Sequence, residues 1–216
     1  MSLPIYVIGD SHAAFFSGND QMQEGWPARS NDRLPWFRSY RLEAITAWGS
    51  PSHFMDAALE TVPPGSTVML SHGEIDCRIH ILRQSVKQGR PVEDIIQDVT
   101  ARYLATVAWV KARGYRVLVW GPPPSSPVGP RDGDYPIVDT CLVRNRVTKL
   151  FNESMARRCE PVGVPVVWLH EELLLPDGTT DLWYVPDSLH LGQSAMPLAL
   201  RKLRRVVPEL PETTTF

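Results

Sequence analysis

The sequence has no long hydrophobic run and no marked excess of charge of either sign. No apolar segment approaches the roughly 20 residues that a membrane-spanning helix needs, and the N-terminal residues lack the basic start and apolar stretch of a signal peptide. Lys and Arg together number 22 and Asp and Glu 24, so the net charge is −2. We therefore expect neither a membrane nor a nucleic acid as a partner.

Cysteine is scarce as well. Cys77, Cys141 and Cys159 are odd in number and have no Cys-x-x-Cys spacing, which argues against a disulfide framework and against a structural zinc site. We interpret them as buried thiols in a reducing compartment and expect a cytoplasmic protein. With 216 residues, 43% of them hydrophobic, and no repeat or linker, the chain is expected to form a single domain over residues 1–216.

Short apolar runs rich in β-branched or aromatic residues predict five buried strands, at residues 5–8, 42–48, 67–71, 116–120 and 164–169. Segments between and after them have apolar residues at helical spacing and predict helices, at 52–61, 92–113, 141–159 and 193–206. Strands that alternate with helices form βαβ units with right-handed crossovers. We therefore expect an α/β fold, a three-layer α/β/α sandwich around a five-stranded parallel sheet.

Polar or glycine-containing motifs follow most of these predicted strands, at the edge where an open parallel sheet binds its ligands. Three long loops also carry aromatic residues or prolines, at 17–40, 121–139 and 176–187. Long loops on a compact α/β domain are usually functional. We expect these loops to form the walls of a substrate pocket at that edge.

Two short motifs carry the strongest chemical signal. Ser11 follows the first strand within Gly-Asp-Ser-His, and Asp187 and His190 begin and end a second motif, Asp-Ser-Leu-His. A serine becomes a nucleophile when a base takes its proton, and a carboxylate can orient that base. The backbone N–H groups of Ser11 and Gly49 are candidate donors to the oxyanion that forms. The motifs therefore predict a serine hydrolase that uses Ser11 as nucleophile, needs no cofactor and binds no metal.

These motifs resemble those of the SGNH (GDSL-type) hydrolases. That family carries Gly-Asp-Ser after its first strand, a glycine after the second, Gly-x-Asn-Asp after the third, and Asp-x-x-His near the C-terminus. The chain matches the first block at residues 9–11, the second at Gly49, and the last at Asp187 and His190. The resemblance covers nearly the whole chain and implies a flavodoxin-like sheet and hydrolysis of small acyl or carbohydrate esters.

The third block departs from the family pattern, because it reads Gly-Glu-Ile-Asp at residues 73–76. Ile75 stands where the resemblance implies an asparagine that donates to the oxyanion, and isoleucine cannot donate a hydrogen bond. Either two backbone donors suffice, or His72, Arg78 or His12 substitutes for the asparagine. We expect Asp76 to tie the loop together.

Five other residues are candidate substrate contacts because they stand beside these motifs or on the long loops: His12, Trp48, Glu74, Arg78 and Trp183. With this site, the most plausible function is a serine esterase or deacylase that acts on a small acyl ester.

Three alternatives remain open. The same three residues could serve an acyltransferase, because the acceptor is chosen by pocket shape and water exclusion. The chain could also be a binding protein with an altered site on the same scaffold. Thirdly, Asp10-x-His12 after a strand suggests a metal-dependent phosphoesterase, with His72, Asp76 and His80 as further ligands. The sequence has no Gly-Asp-x-x-Asp and no Gly-Asn-His motif to complete such a two-metal site.

Overall fold

The structure, a computed structural model, describes residues 4–18, 28–29, 34–42, 46–50, 53–129 and 136–211. Six strands form one sheet in the order β2-β3-β1-β4-β5-β6. They are β1 Ile5–Gly9, β2 Ala28–Arg29, β3 Phe37–Arg41, β4 Thr67–Ser71, β5 Arg116–Trp120 and β6 Val166–Val167. Five strands are parallel, and the two-residue β2 pairs antiparallel with β3 at the edge. The expected five-stranded parallel sheet is confirmed, with one short edge strand added.

The second predicted strand, residues 42–48, is wrong. The strand beside β1 is β3, which pairs from Ile5 with Phe37 to Gly9 with Arg41. Three of its five residues, Arg38, Ser39 and Arg41, are polar, so it lacks the apolar run that predicts a buried strand. Of the predicted strand, residues 43–45 lie outside the described residues, and residues 47–49 form a turn. At the other side of the sheet, the predicted strand 164–169 is shortened to β6.

Five α-helices of the described residues accompany the sheet: α1 His53–Glu60, α2 Ile81–Gln88, α3 Val92–Ala112, α4 Cys141–Cys159 and α5 Met196–Leu203. The predicted helices 92–113 and 141–159 are confirmed almost to the residue, and α1 and α5 lie within the other two predicted segments. The helical segment that leads from β4 into α2 through a stretch of π-helix, Asp76–His80, is not predicted, because its charged residues interrupt the apolar pattern. No helix in the described ranges is long and apolar enough to cross a membrane.

The two faces of the sheet are buried in separate hydrophobic clusters. Val68 and Leu70 of β4 face the cluster that also holds residues of α1, α3 and α4, whereas Met69 faces the cluster that holds residues of α5. Full burial of a large apolar side chain contributes roughly 1.5–3 kcal/mol. The alternation along the strands therefore builds the expected three-layer α/β/α sandwich.

Glycines bring the strand ends close together where the motifs begin. A Cβ atom on Gly9 would lie 2.1 Å from the carbonyl oxygen of Ser71, so only glycine allows β1 and β4 to end side by side. Gly73 has φ +117, and a Cβ atom there would lie 2.8 Å from the ring of Phe151. The segments that follow β1 and β4 therefore start at adjacent points on the carboxyl edge of the sheet.

Candidate active site

Ser11 is the first residue of a short 3-10 helix, Ser11–Ser17, that begins directly after β1. The buried Asp10 caps this helix, because its Oδ1 accepts a hydrogen bond of 2.9 Å from the backbone N–H of His12. The first N–H groups of a helix have no acceptor within the helix. The Ser11 N–H is therefore available at the same point as the Ser11 hydroxyl.

Ser11, His190 and Asp187 form a continuous chain of side-chain hydrogen bonds. His190 Nε2 lies 2.8 Å from Ser11 Oγ, and His190 Nδ1 lies 2.6 Å from Asp187 Oδ2. The two motifs come together although Ser11 and His190 are 179 positions apart. This arrangement places a base in contact with the hydroxyl proton and a carboxylate on the opposite ring nitrogen.

The loop that carries Asp187 and His190 is wound tightly around the carboxylate. Asp187 Oδ1 accepts hydrogen bonds from the backbone N–H groups of Leu189, at 2.9 Å, and His190, at 2.6 Å. Ser188 between them has φ 66, a left-handed conformation that is uncommon for a residue other than glycine. Such strain is tolerated where the surroundings fix it, often at functional sites.

Asp187 is a carboxylate at neutral pH. Partial burial raises its pKa, but the hydrogen bonds from the ring and backbone of His190 and from Leu189 lower it, and the net pKa lies well below the usual range. An ionised Asp187 favours the His190 tautomer that carries its proton on Nδ1. The lone pair of Nε2 then faces Ser11 Oγ and can accept its proton.

The Gly49 N–H donates to Thr46 Oγ1 at 2.9 Å, so this predicted oxyanion donor is already engaged. Its neighbour Ala47 donates its N–H to Asp76 Oδ2 at 2.6 Å. The geometry therefore argues against Gly49 as an oxyanion donor in this conformation. Asp76 does tie the loop, as expected from the sequence, and its burial raises its pKa to about 7.

Three of the predicted substrate contacts are instead buried against one another. Glu74 Oε2 lies 3.3 Å from His12 Nε2, and Glu74 Oε1 accepts a 2.6 Å hydrogen bond from Arg78 Nε. All three side chains are at most 6% exposed. Both Glu74 oxygens thus face partners inside the protein, and a direct substrate contact, as predicted for these three residues, does not fit this burial.

The charges of these three residues follow from their contacts. Burial raises the pKa of Glu74, but its contacts with His12 and Arg78 outweigh burial and hold the pKa well below its usual range. Burial lowers the pKa of His12, which outweighs the opposite effect of Glu74. Glu74 is therefore ionised at neutral pH, and His12 is neutral.

The two tryptophans predicted as substrate contacts lie in different places. Trp48 lines a cavity of about 350 Å³ together with Asp76, His80 and residues of α2 and α3, and Arg102 stacks over its ring. The lining of this cavity does not include Ser11, Asp187 or His190. Trp183 is 74% exposed in a turn, Leu182–Tyr184, shortly before Asp187. Of the two, Trp183 is thus the one on the segment that leads to the Asp187–His190 loop.

The described residues do not form the ligand cluster that the alternative of a metal-dependent phosphoesterase needs. Among the residues that the structure describes, no three His, Cys, Asp or Glu side chains are grouped so that they could hold a metal ion. Asp10 and His12 in particular do not form a ligand set with His72, Asp76 or His80.

No protein-family model and no curated protein matches the sequence. Solved structures do match. A protein described as lipolytic, of the G-D-S-L family from Desulfitobacterium hafniense, has a TM-score of 0.57 at 18% identity, over 94% of this chain and 98% of that one. An extracellular lipase from Streptomyces rimosus has a TM-score of 0.53 at 14% identity, over 97% of this chain and 100% of that one. The chain has the SGNH hydrolase fold.

Within the SGNH fold, this chain departs from the resemblance at the third block. Ile75 is buried and apolar, and the stretch of π-helix, Asp76–His80, begins directly after it. Stretches of π-helix insert an extra residue into a helix and often occur at functional sites. The polar side chains of the block, Glu74 and Asp76, contact His12 and the Ala47 backbone N–H.

Two residues of α4 that hold the loops around the site are not among the residues predicted from the sequence. Arg144 of α4 donates to Ser125 Oγ and to the carbonyls of Ser126, Val138 and Asp139. Asn145 accepts from the Ser125 N–H and donates to the Gly178 carbonyl and to Thr180 Oγ1. Together they anchor the loops after β5 and before Asp187. A signal was available, since Arg144 lies seven residues before Phe151, on the face of α4 that packs into the core.

Proposed function

We propose that the protein is a serine esterase or deacylase that hydrolyses a small acyl ester through an acyl-enzyme on Ser11. The observation that carries this proposal is the hydrogen-bonded chain from Ser11 Oγ through His190 to Asp187, at 2.8 and 2.6 Å. The SGNH fold adds support, because the order of the motifs in the sequence and the fold both point to the same edge of the sheet. No cofactor is needed for this chemistry.

In the first half of the reaction Ser11 Oγ forms a bond to the acyl carbon while its proton passes to His190 Nε2. The carbonyl oxygen becomes an oxyanion, which the Ser11 N–H can bind. His190 then gives the proton to the alcohol oxygen as the ester bond breaks. Asp187 stabilises the imidazolium through Nδ1–H throughout this half-reaction.

In the second half a water molecule replaces the alcohol. His190 takes a proton from the water as its oxygen bonds to the acyl carbon, and returns it to Ser11 Oγ as the carboxylic acid leaves. The His190 side chain is 14% exposed and Asp187 38%. Because water can approach this side of the site, we favour hydrolysis over transfer to another acceptor.

The donors to the oxyanion are the least complete part of the site. Each well-placed donor contributes roughly 3 kcal/mol to the transition state. Gly49 could join the Ser11 N–H only if Thr46 Oγ1 turned away from it, since the two are now hydrogen-bonded. The proposed substrate is therefore an activated or otherwise reactive ester, for which fewer donors suffice.

Two further expectations belong to this proposal. The three cysteines are free and buried, which supports a reducing compartment such as the cytoplasm. We also propose that residues 1–216 act as one hydrolase domain, because the loops of the site come from both halves of the chain.

Steady-state hydrolysis of a panel of p-nitrophenyl esters of increasing acyl length tests the proposal. Ser11→Ala and His190→Ala are expected to lower kcat by at least about 10⁴-fold on every ester that the unaltered protein cleaves. Ser85→Ala, which removes a hydroxyl that donates to the Arg90 carbonyl, serves as the control and should retain full activity. Full activity of Ser11→Ala would refute the nucleophile.

A further inference from the structure

A buried ionic network lies directly behind the proposed base, and the reaction as described does not use it. Glu74 contacts both His12 and Arg78, and the three side chains are at most 6% exposed. The ring centre of His12 lies 4.7 Å from that of His190, with the ring planes inclined by 43°. The removal of a charge from water carries a large penalty, so a charged pair at this place needs a reason other than stability.

The network keeps His12 as a neutral ring with a defined orientation. The Glu74 carboxylate faces Nε2, which favours the tautomer with its proton on that nitrogen. His12 is neutral at neutral pH because its burial outweighs the attraction of Glu74. Neither of its ring nitrogens, both of them buried, has a hydrogen bond to a described residue, so the 3.3 Å contact between Nε2 and Glu74 Oε2 is an electrostatic one. The contact between His12 and His190 is therefore a packing contact between rings and not a hydrogen bond.

The charges around His190 come from three segments. Asp187 lies on its own loop, Ser11 and the neutral His12 belong to the helix after β1, and Glu74 and Arg78 belong to the segment after β4. Asp10, also near this network, has a pKa that burial raises well above its usual value. When His190 takes the proton of Ser11 it becomes a cation, and the negative charge of Glu74 favours this change whereas the positive charge of Arg78 opposes it.

We propose that Glu74 is a positioning residue that acts on His190 through His12. It fixes the His12 ring against the His190 ring, so that His190 Nε2 stays opposite Ser11 Oγ, and its negative charge offsets the positive charge of Arg78 on the far side of His12. This inference rests on the proposed function, because it gives His190 its role as base. It assigns Glu74, a residue of the variant third block, to the support of the base and not to the substrate.

The pH profile of kcat/KM tests the balance of charge. Glu74→Gln keeps the size of the side chain but removes the negative charge that contacts His12 and Arg78, so protonation of His190 becomes harder. We expect the acid limb to move to lower pH by about one unit and kcat to fall about 10-fold with little change in KM. The double variant Glu74→Gln/Arg78→Met removes both charges, and its acid limb is expected to return to the position of the unaltered protein.

The return in the double variant separates this role from a structural one. Loss of packing alone would leave the acid limb in place in both variants and would make the double variant the less active of the two. The control Glu93→Gln removes an exposed partner of Arg146 and is expected to change nothing. An unmoved acid limb in Glu74→Gln, or an unreversed shift in the double variant, overturns the proposal.

The titration of His190 by NMR, in the Ser11→Ala background, needs no substrate and no turnover. The midpoint is expected to fall by about one pH unit with Glu74→Gln and to return with Glu74→Gln/Arg78→Met. If the unaltered protein cleaves no ester but these shifts occur, the proposed function fails and the coupling of Glu74 to His190 stands. If esters are cleaved and the midpoints do not move, the role of Glu74 is refuted alone.

Discussion

Two clusters of buried polar residues lie at the carboxyl edge of the sheet, and they differ in how well their polar atoms are satisfied. The loop anchor, Arg144 and Asn145 of α4, directs its hydrogen bonds mainly to backbone groups and hydroxyls of the loops. The site cluster, His12, Glu74 and Asp10, includes buried atoms without a hydrogen bond to any described residue, among them Asp10 Oδ2 and His12 Nδ1.

An unsatisfied buried polar group costs about 1–3 kcal/mol. The loop anchor avoids this cost and has the properties of a structural element. The site cluster accepts it next to Ser11 and His190, where the arrangement of charge matters for the reaction and not for stability. The contrast indicates that changes in the first cluster act on folding and changes in the second act on activity.

The largest effect is expected within the site. Asp187→Asn removes the charge that orients His190 and stabilises its protonated form, so kcat should fall about 10⁴-fold while the free energy of unfolding changes little. Steady-state kinetics and urea unfolding measure the two quantities. Asp177→Asn is the matched control, because Asp177 also accepts from a turn but contacts no residue of the site. A decrease of less than tenfold in Asp187→Asn would contradict the orienting role.

Variants of the loop anchor should show the opposite result, a loss of stability. Arg144→Met leaves the carbonyls of Ser126, Val138 and Asp139 without their donor, and we expect a loss of about 3–5 kcal/mol in the free energy of unfolding. Arg146→Met, two residues along the same helix, removes a side chain that is 76% exposed and should change stability by less than about 0.5 kcal/mol. Equal losses of unfolding free energy in Arg144→Met and Arg146→Met would contradict the structural role of the loop anchor.

The pH dependence of stability tests a third buried carboxyl, Asp76. Its pKa is about 7 in the folded protein against an ordinary 3.8, so the folded state binds the proton more tightly. The stability that this group contributes is complete below about pH 4 and is lost as the pH rises through 7. Asp76→Asn can still accept from Ala47 and has no such dependence.

The stability of Asp76→Asn relative to the unaltered protein should therefore increase between pH 4 and 7, by on the order of 3 kcal/mol. Urea unfolding at intervals of one pH unit measures this difference. Asp56→Asn, on the exposed side of α1, provides the control and should follow the unaltered protein. A relative stability that stays constant with pH would show that Asp76 is ionised when folded.

The smallest effect concerns the strained residue of the Asp187–His190 loop. Ser188→Gly relieves the left-handed backbone at φ 66, and we expect a gain of roughly 0.5 kcal/mol after the added freedom of the unfolded chain is subtracted. Thermal unfolding measures it. Asp139→Gly relieves a similar φ of 61 in a loop that Arg144 holds, but it loses the Asp139 contact with the Thr140 N–H, so it should give no gain. A loss of stability in Ser188→Gly would contradict the inference that the Ser188 backbone is strained.

The central part of the sheet and the three residues of the hydrogen-bonded chain could be predicted from the sequence. Runs such as 67–71 and 116–120 are nearly all apolar because both of their faces are covered, and Ser11 and His190 stand in motifs that few other folds combine. The strand β3 could not be predicted, since Arg38, Ser39 and Arg41 give it the pattern of a loop.

The directions in which polar groups point could not be predicted from the sequence either. Glu74 and Arg78 are charged and stand in a motif, which suggests contact with a substrate, but their i,i+4 spacing places them on one helical face where they pair with each other. The Gly49 N–H, which the sequence predicts as an oxyanion donor, instead donates to the hydroxyl of Thr46, three residues earlier. Both contacts are local in the sequence, but they depend on the backbone of a turn and of a π-helical stretch, and the pattern of residues does not predict either.

Intact-mass spectrometry after reaction with a fluorophosphonate tests the central claim most directly. An activated Ser11 displaces fluoride and forms an Oγ–P bond as its proton passes to His190. The account predicts one adduct on the unaltered protein, no adduct on Ser11→Ala or His190→Ala, and a full adduct on Ser85→Ala. An adduct that persists on Ser11→Ala, or none on the folded unaltered protein, would contradict the account.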